Sequence, residues 1–305
     1  MANRIVVAGS SNTDMIIQMP RIPRPGETIL GGRFSMAAGG KGANQAVAAA
    51  RAGGDVTFVA RVGDDMFGQK AVEGFVADGI HVEHVIRDPH APSGVALIFV
   101  ADDGENSIGV ASGANGLLSP ADVEQAKDVI GSADVLVMQL ETPVETVHAA
   151  ARIAAARGVR VILNPAPAQP LDDALLKLVS VLTPNETEAE LLTGIKVEDD
   201  HAAKRAADAL LAKGVQTVLI TLGPRGAWVA TRDGGELVAG FVVKAVDTTA
   251  AGDVFNGAFA VGLSEGKPLQ NAVRFANAAA ALSVTKLGAQ PSAPTRAEIE
   301  AFLAR

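Results

Sequence analysis

Short apolar runs rich in valine, isoleucine and leucine alternate with alanine-rich segments along most of the chain. The runs lie at 56–62, 135–139, 159–163, 179–182 and 217–221, and breaks containing glycine, aspartate, asparagine or proline separate them from the segments between. Runs that are apolar on both faces are typical of strands covered by helices on both sides. The pattern therefore predicts an α/β fold, a Rossmann-like three-layer α/β/α architecture with a mostly parallel central sheet.

Alanine-rich segments with helical periodicity supply the covering layers. Gly79, Gly158 and Gly214 stand where helix C-terminal caps are expected, and Thr295 with Glu298 forms a capping-box pattern for the last helix. Helices are predicted at about 41–52, 65–78, 120–130, 143–157, 200–213, 252–264, 268–286 and 295–304.

Two regions carry extended segments without an intervening helix. Residues 12–38 contain two such segments around a proline and glycine cluster, and residues 94–111 form a hairpin pattern that turns at 102–104. Together they predict a small second sheet that serves as a lid, a dimer surface or both. Length alone is compatible with one large domain or two smaller ones; if these segments join the main fold, the chain is one domain over 1–305 with a discontinuous β-lid.

The bulk properties exclude several classes of function. A net charge of −8 argues against general nucleic-acid binding, which depends on clustered lysine and arginine. No cysteine is present, so neither a disulfide nor a zinc-thiolate site can form. No apolar run reaches the roughly 18 residues of a membrane span, and the N-terminal run is too short for a signal-peptide core. We expect a soluble, cytoplasmic protein that does not contact a membrane.

A glycine cluster at 39–44 precedes the first helix. It is not a P-loop, because Gly42 stands where a magnesium-binding serine or threonine belongs and the glycine spacing differs. The cluster would let the backbone approach a small ligand closely. A flexible loop at a helix start is the alternative.

The segment 247–253 places small residues and Asp253 at the start of a helix. Free amides of a first helical turn favour an anion, and a carboxylate there could accept a proton from a substrate hydroxyl group. The adjacent amides could stabilise charge on a transferring phosphoryl group. The alternative is that Asp253 only caps a helix over 254–262.

Asn185 and Glu188 follow the run at 179–182, at the carboxyl end of a predicted strand. Ligands collect at such ends in α/β sheets, and these side chains could hold hydrated Mg²⁺ and phosphate oxygens. A capping box formed by the same two residues is the alternative.

A glycine turn at 221–226 follows another predicted strand. It suits the phosphates or ribose of a nucleotide, and a plain hairpin turn into 227–230 is the alternative.

Isolated polar and aromatic residues carry weaker signals. Asp14 interrupts an apolar strand, and either an exposed strand face or a sugar-hydroxyl ligand explains it. Glu141 follows the run at 135–139. Trp228 is interpreted as a core residue rather than a base-stacking platform. The histidines are interpreted as solvated: His81, His84, His90, His148 and His201.

In their order along the chain these segments resemble the ribokinase-like carbohydrate kinases, from about residue 4 to the last helix. The motifs that carry the resemblance are Asn12-Thr-Asp14, 39–44, Gln139-Leu-Glu141, Asn164-Pro-Ala-Pro167, 183–188, 221–226 and 247–253. The resemblance implies phosphorylation of D-ribose at its 5-hydroxyl group by ATP, with Mg²⁺ and K⁺ as cofactors, in a homodimer formed through the β-lid.

The resemblance also implies a role for each matching residue. Asp253 would be the general base, with the backbone amides of Ala250, Ala251 and Gly252 as anion hole. The sugar would be held by Asn12, Asp14, Gly39, Gly40, Lys41, Gly42, Ala43, Asn44, Glu141 and Asp253. The nucleotide and its Mg²⁺ would be held by Asn185, Glu188, Thr221, Leu222, Gly223, Pro224, Arg225, Gly226, Gly252, Asp253 and Asn277. The K⁺ site would be built from Asp247, Thr249, Ser283, Lys286, Gly288 and Ser292, mostly through backbone oxygens.

Other functions remain possible at this stage. A related kinase could act on fructose, deoxyribose or a nucleoside such as adenosine, and a sugar-binding protein could have lost catalysis. A dinucleotide-binding oxidoreductase fits less well, because the first strand ends in Gly9-Ser-Ser-Asn12 rather than in a G-x-G-x-x-G turn.

Overall fold

The computed structural model describes residues 3–305 and contains two β-sheets. The strands are β1 (Arg4–Ala8), β2 (Asn12–Met19), β3 (Arg33–Gly39), β4 (Asp55–Gly63), β5 (His81–Asp88), β6 (Gly94–Ala101), β7 (Asn106–Ala111), β8 (Val135–Met138), β9 (Arg160–Leu163), β10 (Val181–Leu182), β11 (Thr217–Thr221), β12 (Gly226–Thr231) and β13 (Gly234–Ala239). The α-helices are α1 (Lys41–Arg51), α2 (Met66–Ala77), α3 (Pro120–Gln125), α4 (Lys127–Gly131), α5 (Val144–Ala156), α6 (Asp173–Leu176), α7 (Glu186–Thr193), α8 (Asp200–Ala212), α9 (Ala251–Ser264), α10 (Leu269–Ser283) and α11 (Arg296–Leu303).

The large sheet has nine strands in the order β13-β12-β11-β10-β9-β8-β1-β4-β5. The strands from β11 to β5 in this order pair in parallel, whereas β12 pairs antiparallel with β11 and with β13 at one edge. Successive residues of β1 enter different cores: Ile5 and Val7 pack on one face, and Val6 and Ala8 on the other. Burial on both faces explains the continuous apolar runs and confirms the predicted three-layer fold.

The topology brings several strand ends together at one place. After β1 the chain first builds β4 and β5 on one side, and it then crosses to β8 on the other side. Strand order thus reverses between β1 and β8, and ligands of open α/β sheets bind at such a switch point.

The helices largely follow the prediction, with two differences. The segment at 120–130 forms two helices, because Ala126 leaves helical geometry and its N–H bonds to Val123 O, three residues back. Helix α10 ends at Ser283 rather than at 286, and a turn follows. The C-cap glycines have positive φ as expected, and the capping box of Thr295 and Glu298 is present.

Three regular segments were not predicted from the sequence. β5 forms one edge of the large sheet and β13 forms the other, whereas β12 corresponds to the alternative of a hairpin turn into 227–230. Edge strands have one solvent-facing side, so their residues lack the continuous apolar run of a central strand. The short helix α6 begins at Asp173 and is capped by Asp172, whose side chain accepts from Leu175 N.

The second sheet has four strands in the order β3-β2-β6-β7. Both regions singled out in the sequence contribute to it, since β2 and β3 come from 12–39 and the hairpin of β6 and β7 from 94–111. The sheet is attached at the turn after β1, where Ser11 N donates to Asn115 Oδ1. Within residues 3–305, the helices are all too short or too polar to cross a lipid bilayer.

Close packing of α1 against α9 depends on a glycine. A Cβ atom at Gly257 would lie 2.6 Å from the Gln45 carbonyl oxygen and 2.8 Å from the Ala49 amide nitrogen. Backbone atoms on a buried helix cannot move aside as a side chain can. The crossing therefore requires the absence of a side chain at this position.

We expect Gly257→Ala to lower the free energy of unfolding by about 1–3 kcal/mol, because the new methyl group forces the helices apart. Gly74→Ala is the matched control, since Gly74 also lies in a helix but a Cβ atom there would have no neighbouring atom within 4 Å. That change should instead stabilise the protein by about 0.5–1 kcal/mol. Urea unfolding followed by circular dichroism measures both, and equal effects of the two changes would contradict the packing argument.

Candidate active site

The glycine cluster connects β3 to α1 and is packed against the turn that follows β1. Gly40 has a φ of 89°, and α1 begins at the next residue, Lys41. A Cβ atom at Gly42 would lie 2.5 Å from Ser10 N, and one at Gly39 would overlap the Asp14 carboxylate. Gly42 therefore lets α1 approach another part of the chain, a packing role that the sequence interpretation of close ligand approach did not include.

Asp253 lies in the first turn of α9 without capping it. The helix begins at Ala251, and its N-cap residue Ala250 makes no side-chain cap. The Asp253 carboxylate instead accepts from Asn44 Nδ2 and Gln45 Nε2, both at 2.9 Å. The capping alternative is therefore wrong, because the carboxylate points towards α1 rather than back to its own helix.

Burial and nearby charges control the ionisation of this centre. Asp253 is only 6% exposed, and burial raises its pKa against the opposing effects of Lys41, Asn44 and Gln45. Burial acts to lower the pKa of Lys41, but the charges of Asp253, Glu141 and Glu188 outweigh it and raise that pKa. Lys41 is thus a fixed positive charge among three acidic side chains.

Asp14 and Glu141 complete an acidic group on the side of the small sheet. Burial, with the charges of Glu141 and Asp253, raises the Asp14 pKa to about 6. Glu141 is held in place because it accepts from Ser10 Oγ at 2.5 Å and from Lys41 N at 3.0 Å. Asn12 lies nearby at the start of β2 and accepts from Asn115 Nδ2 at 2.7 Å. Carboxylate and amide oxygens arranged in this way suit the hydroxyl groups of a sugar.

A small cavity of about 190 Å³ adjoins Asp253 on the other side. Asn185 and Glu188 line it and also form the capping box of α7, with bonds of 2.8 and 2.9 Å between them. The capping interpretation is thus confirmed, and it leaves one Glu188 oxygen available to the cavity. Burial raises the Glu188 pKa.

A larger cavity of about 470 Å³ continues from the small one. Thr221, Thr248, Ala251 and Gly252 line both, so the two are contiguous. The large cavity is mostly apolar, and its walls include Phe241, Val243, Ala245, Phe255, Ala280, Ala281 and Val284. Asn277 lies in the wall with its amide group donating to Val238 O and Ala239 O. An apolar slot that leads to a polar cavity can accommodate a nucleotide base and its phosphates.

Four of the six residues in the turn at 221–226 line this cavity, and the other two point elsewhere. Gly223, Pro224 and Gly226 line the cavity together with Thr221. The structure does not bring the other two predicted nucleotide residues there. Leu222 is buried in the core, and the Arg225 guanidinium pairs with Glu186 and Asp200 at 3.1 and 3.0 Å. The turn is also the start of a hairpin, since β11 pairs antiparallel with β12.

Other isolated residues also have defined positions. Trp228 is half-buried and packs against the core, outside the walls of the large cavity. His81, His90 and His201 are exposed, whereas His84 and His148 are half-buried. The histidines were all interpreted as solvated, and His84 and His148 are only partly so.

Two residues of the implied K⁺ site, Thr249 and Gly288, contact the Asp247 carboxylate. One carboxylate oxygen accepts from Thr249 N at 2.9 Å and the other from Gly288 N at 2.8 Å. Ser283 and Ser292 are buried at the two ends of the loop that contains Gly288. The Lys286 amine pairs with Glu298, so it points away from this group. Both oxygens of the Asp247 carboxylate are therefore held by main-chain N–H groups, one from its own segment and one from this loop.

A buried polar network next to Asp253 was given no role from the sequence, and part of it lines the small cavity. Its members are Gln45, Gln139, Asn164, Thr183 and Asn256, all buried and joined by side-chain hydrogen bonds. One signal was available: Gln45 is a polar residue on the buried face of an alanine-rich helix. Gln139 and Asn164 also follow β8 and β9 directly, at the edge of the sheet where ligands bind.

The chain is similar to several known proteins over nearly its whole length. The model of the pfkB family of carbohydrate kinases matches residues 2–296. The ribokinase of Haemophilus influenzae is 49% identical over 99% of both chains. The structure of Arabidopsis thaliana ribokinase complexed with ribose and ATP superposes with a TM-score of 0.93 at 35% identity over 100% of both chains. The deoxyribokinase of Salmonella typhimurium is 39% identical over 98% of both chains.

Removal of the Asp14 charge should stabilise the ligand-free protein at alkaline pH. A carboxyl group whose pKa rises from 3.8 to about 6 on folding disfavours the folded state wherever it is ionised. We expect Asp14→Asn to raise the free energy of unfolding at pH 8 by roughly 1–3 kcal/mol. The gain should fall as the pH drops through 6 and disappear below 3.8, where both states are protonated. Unfolding curves at pH 8, 6 and 3.5 measure it, with exposed Asp102→Asn as control, and a gain that persists at pH 3.5 would refute the assignment.

Proposed function

The chain belongs to the pfkB family of carbohydrate kinases, and we propose that it transfers the γ-phosphoryl group of ATP to the 5-hydroxyl group of D-ribose. The observation that carries the proposal is the position of Asp253. Its buried carboxylate lies between the acidic group of Asp14 and Glu141 and the cavity that leads to the apolar slot. The named ribokinases at up to 49% identity support ribose as the acceptor.

Asp253 acts as the general base in this proposal. The ribose 5-hydroxyl proton passes to the carboxylate as the new O–P bond forms and the bond to the ADP oxygen breaks. A pKa raised by burial suits this role, because a base with the ordinary aspartate pKa has little affinity for a proton at neutral pH. Lys41 keeps the carboxylate ionised until the transfer.

The N-terminus of α9 supplies the anion hole. Within residues 3–305, the amides of Gly252 and Asp253 have no main-chain acceptor, and they point from the first helical turn towards the small cavity. Ala251 N donates to Thr248 O at 3.2 Å, which makes its amide the weaker contributor. Ala250 adopts a left-handed conformation with φ of 58°, which turns the chain sharply into the helix. Developing negative charge on the phosphoryl group is stabilised by such preorganised donors.

The two cavities accommodate ATP, with the base in the apolar slot and the phosphates near Asn185 and Glu188. Mg²⁺ supplies neutralisation of the phosphate charge when it is bound. Glu188 would bind Mg²⁺ through the carboxylate oxygen that faces the small cavity. The protein's own contribution is to align the γ-phosphate with the sugar hydroxyl group, which requires little covalent chemistry.

A monovalent cation, K⁺, would bind between the segment at 247–249 and the loop at 283–292. Val246 N donates to Val284 O at 2.7 Å, so the two segments are already in contact. Asp247 lies six residues before Asp253, and a cation beside it would fix the shape of the turn between them. A cation there would act on the anion hole through the shape of this turn, without contact to either substrate.

The small sheet acts as a lid and as a dimer surface in this proposal. Phe34, Met36 and Leu97 lie on one face of it by strand register and are exposed. An exposed apolar face of this kind is typical of an interface. A lid closed over ribose excludes water, which otherwise competes as phosphoryl acceptor. The domain then consists of residues 1–305, with the lid inserted as two separate segments.

A related activity is a specific alternative, since a deoxyribokinase is 39% identical over nearly the whole chain. Ribose and deoxyribose differ only in the 2-hydroxyl group. Asp14 and Glu141 favour the substrate with more hydroxyl groups, because carboxylates that are partly removed from water need hydrogen-bond donors. We therefore place ribose first.

A substrate panel in a coupled ADP-release assay tests the proposal. We expect kcat/KM for D-ribose to exceed that for 2-deoxyribose, fructose and adenosine by at least about tenfold, since a site built for a hydroxyl group rejects an analogue without it. Asp253→Asn should lower kcat by about 10²–10⁴-fold, the usual contribution of a general base. A preference for deoxyribose would favour the alternative, and full activity of Asp253→Asn would remove Asp253 from the mechanism.

Replacement of K⁺ by tetramethylammonium should lower kcat by about 5–150-fold, the usual range of coupling between two sites. Tetramethylammonium is too large for a site formed by main-chain carbonyl groups. The Asp247→Asn variant should have a low kcat in both salts, so its kcat should no longer differ between K⁺ and tetramethylammonium. Asp233→Asn, in the exposed β12–β13 turn, is the control and should respond to K⁺ as the wild type does. Equal rates in the two salts for the wild type would contradict the cation site.

A further inference from the structure

Two glutamine side chains lie directly behind Asp253 and are completely enclosed by protein. Gln45 is 0% exposed and Gln139 is 1% exposed. Neither lines the cavity next to Asp253, so neither can touch a substrate there. Fully buried amide groups are uncommon unless each makes hydrogen bonds, and these lie in the middle of the α1, α9 and β8 packing.

The contacts form a chain that ends on the Asp253 carboxylate. Gln139 Nε2 donates to Gln45 Oε1 at 2.7 Å. Gln45 Nε2 in turn donates to Asp253 Oδ1 at 2.9 Å and to Asn164 Oδ1 at 3.1 Å. Asn164 Nδ2 donates to Thr183 O at 3.1 Å.

The direction of every bond in this chain is forced from its two ends. An ionised carboxylate and a main-chain carbonyl group can only accept hydrogen bonds. Gln45 must therefore present its nitrogen to Asp253, and Asn164 must present its nitrogen to Thr183 and its oxygen to Gln45. The Gln45 oxygen is left facing Gln139, which must then present its own nitrogen. The chain has one arrangement only.

We propose that Gln45 is a positioning residue for the phosphoryl transfer, which holds the Asp253 carboxylate in its reactive orientation, and that Gln139 holds Gln45. The proposal rests on the proposed function, in which Asp253 is the base. Asn44 donates to the other carboxylate oxygen, Oδ2, at 2.9 Å. One donor leaves the carboxylate free to rotate about its Cβ–Cγ bond, whereas one donor on each oxygen fixes its plane.

One unpaired atom supports a positioning role over a purely structural one. Gln139 Oε1 is buried without a hydrogen-bond partner, because the chain uses the nitrogen of Gln139 and leaves its oxygen against Gly9. An apolar side chain at 139 would avoid this cost, so stability alone does not account for glutamine there. What glutamine adds is a donor for Gln45 Oε1.

The chain also affects proton uptake by Asp253. The hydrogen bonds from Asn44 and Gln45 stabilise the ionised carboxylate and act to lower its pKa against the effect of burial. Loss of the Gln45 donor should therefore raise the Asp253 pKa further. Asp253 would then become protonated at a higher pH. The acidic limb of the pH–rate profile would therefore shift to higher pH.

The test uses the full-length variants Gln45→Met and Gln139→Met, which keep side-chain length and remove the amide. We expect Gln45→Met to lower kcat about 10–100-fold, as misorientation of a catalytic group does, with KM for ribose and ATP changed less than about threefold. Gln139→Met should lower kcat about 3–10-fold, the equivalent of one hydrogen bond. In both variants the acidic limb of kcat/KM should lie at higher pH than in the wild type.

Thr146→Val is the matched control for a lost buried hydrogen bond far from the site. Thr146 is buried, and its hydroxyl group donates to Leu118 O at 2.6 Å. This variant should lose stability but keep the wild-type kcat and pH profile. A folded Gln45→Met with wild-type kcat and acidic limb would overturn the proposal, as would an equal loss of kcat in Thr146→Val. If Gln45→Met does not fold, Gln45→Glu takes its place, and its carboxyl group beside Asp253 should move the acidic limb upward.

A readout without turnover separates this proposal from the proposed function. The ¹³C signals of labelled aspartate carboxyl groups, assigned with Asp253→Asn, follow ionisation of Asp253 directly. We expect a higher midpoint in Gln45→Met than in the wild type. A wild type that does not phosphorylate ribose would refute the proposed function, whereas an unchanged Asp253 midpoint would refute the positioning role of Gln45.

Discussion

The site depends on the close crossing of two buried helices, α1 and α9. Gly257 allows the helix backbones to meet, and this places Asp253 of α9 against Asn44 and Gln45 of α1. A carboxylate that is 6% exposed could not stay ionised without such donors and a nearby cation. Lys41, at the start of α1, supplies the cation. The same crossing therefore determines packing, charge and the orientation of the Asp253 carboxylate.

The arrangement explains how one site can serve both substrates. The acidic side chains near the small sheet offer acceptors to hydroxyl groups, and the first turn of α9 offers donors to phosphate. Asp253 belongs to both halves of the proposed site, since it lies beside Asp14 and Glu141 and also lines the small cavity. Phosphoryl transfer needs this alignment more than it needs reactive groups.

Much of the fold and part of the site could be predicted from the sequence. Buried parallel strands require continuous apolar runs, so 56–62 and 217–221 were identifiable, and residues after strand ends fall at one edge of the sheet. Edge strands such as β5 and β13 were missed because a solvent-facing side breaks that pattern. Asp253 stood out as an acid among small residues, but its helix start was compatible with simple capping. Only its hydrogen bonds to α1 distinguish the two.

The sequence by itself determined the α/β architecture, the residues at the strand ends and the presence of an acid at a helix start, because these depend on local patterns and on periodicity. Only the tertiary structure decided which groups face that acid. Gln45 and Asp253 are 208 positions apart, and no local pattern connects them. In the tertiary structure Arg225 pairs with Glu186 and Asp200, and Leu222 is buried in the core. Both residues belong to a motif that was predicted to bind the nucleotide. Side-chain direction follows from packing between distant elements, whereas the motif fixes only position along the chain.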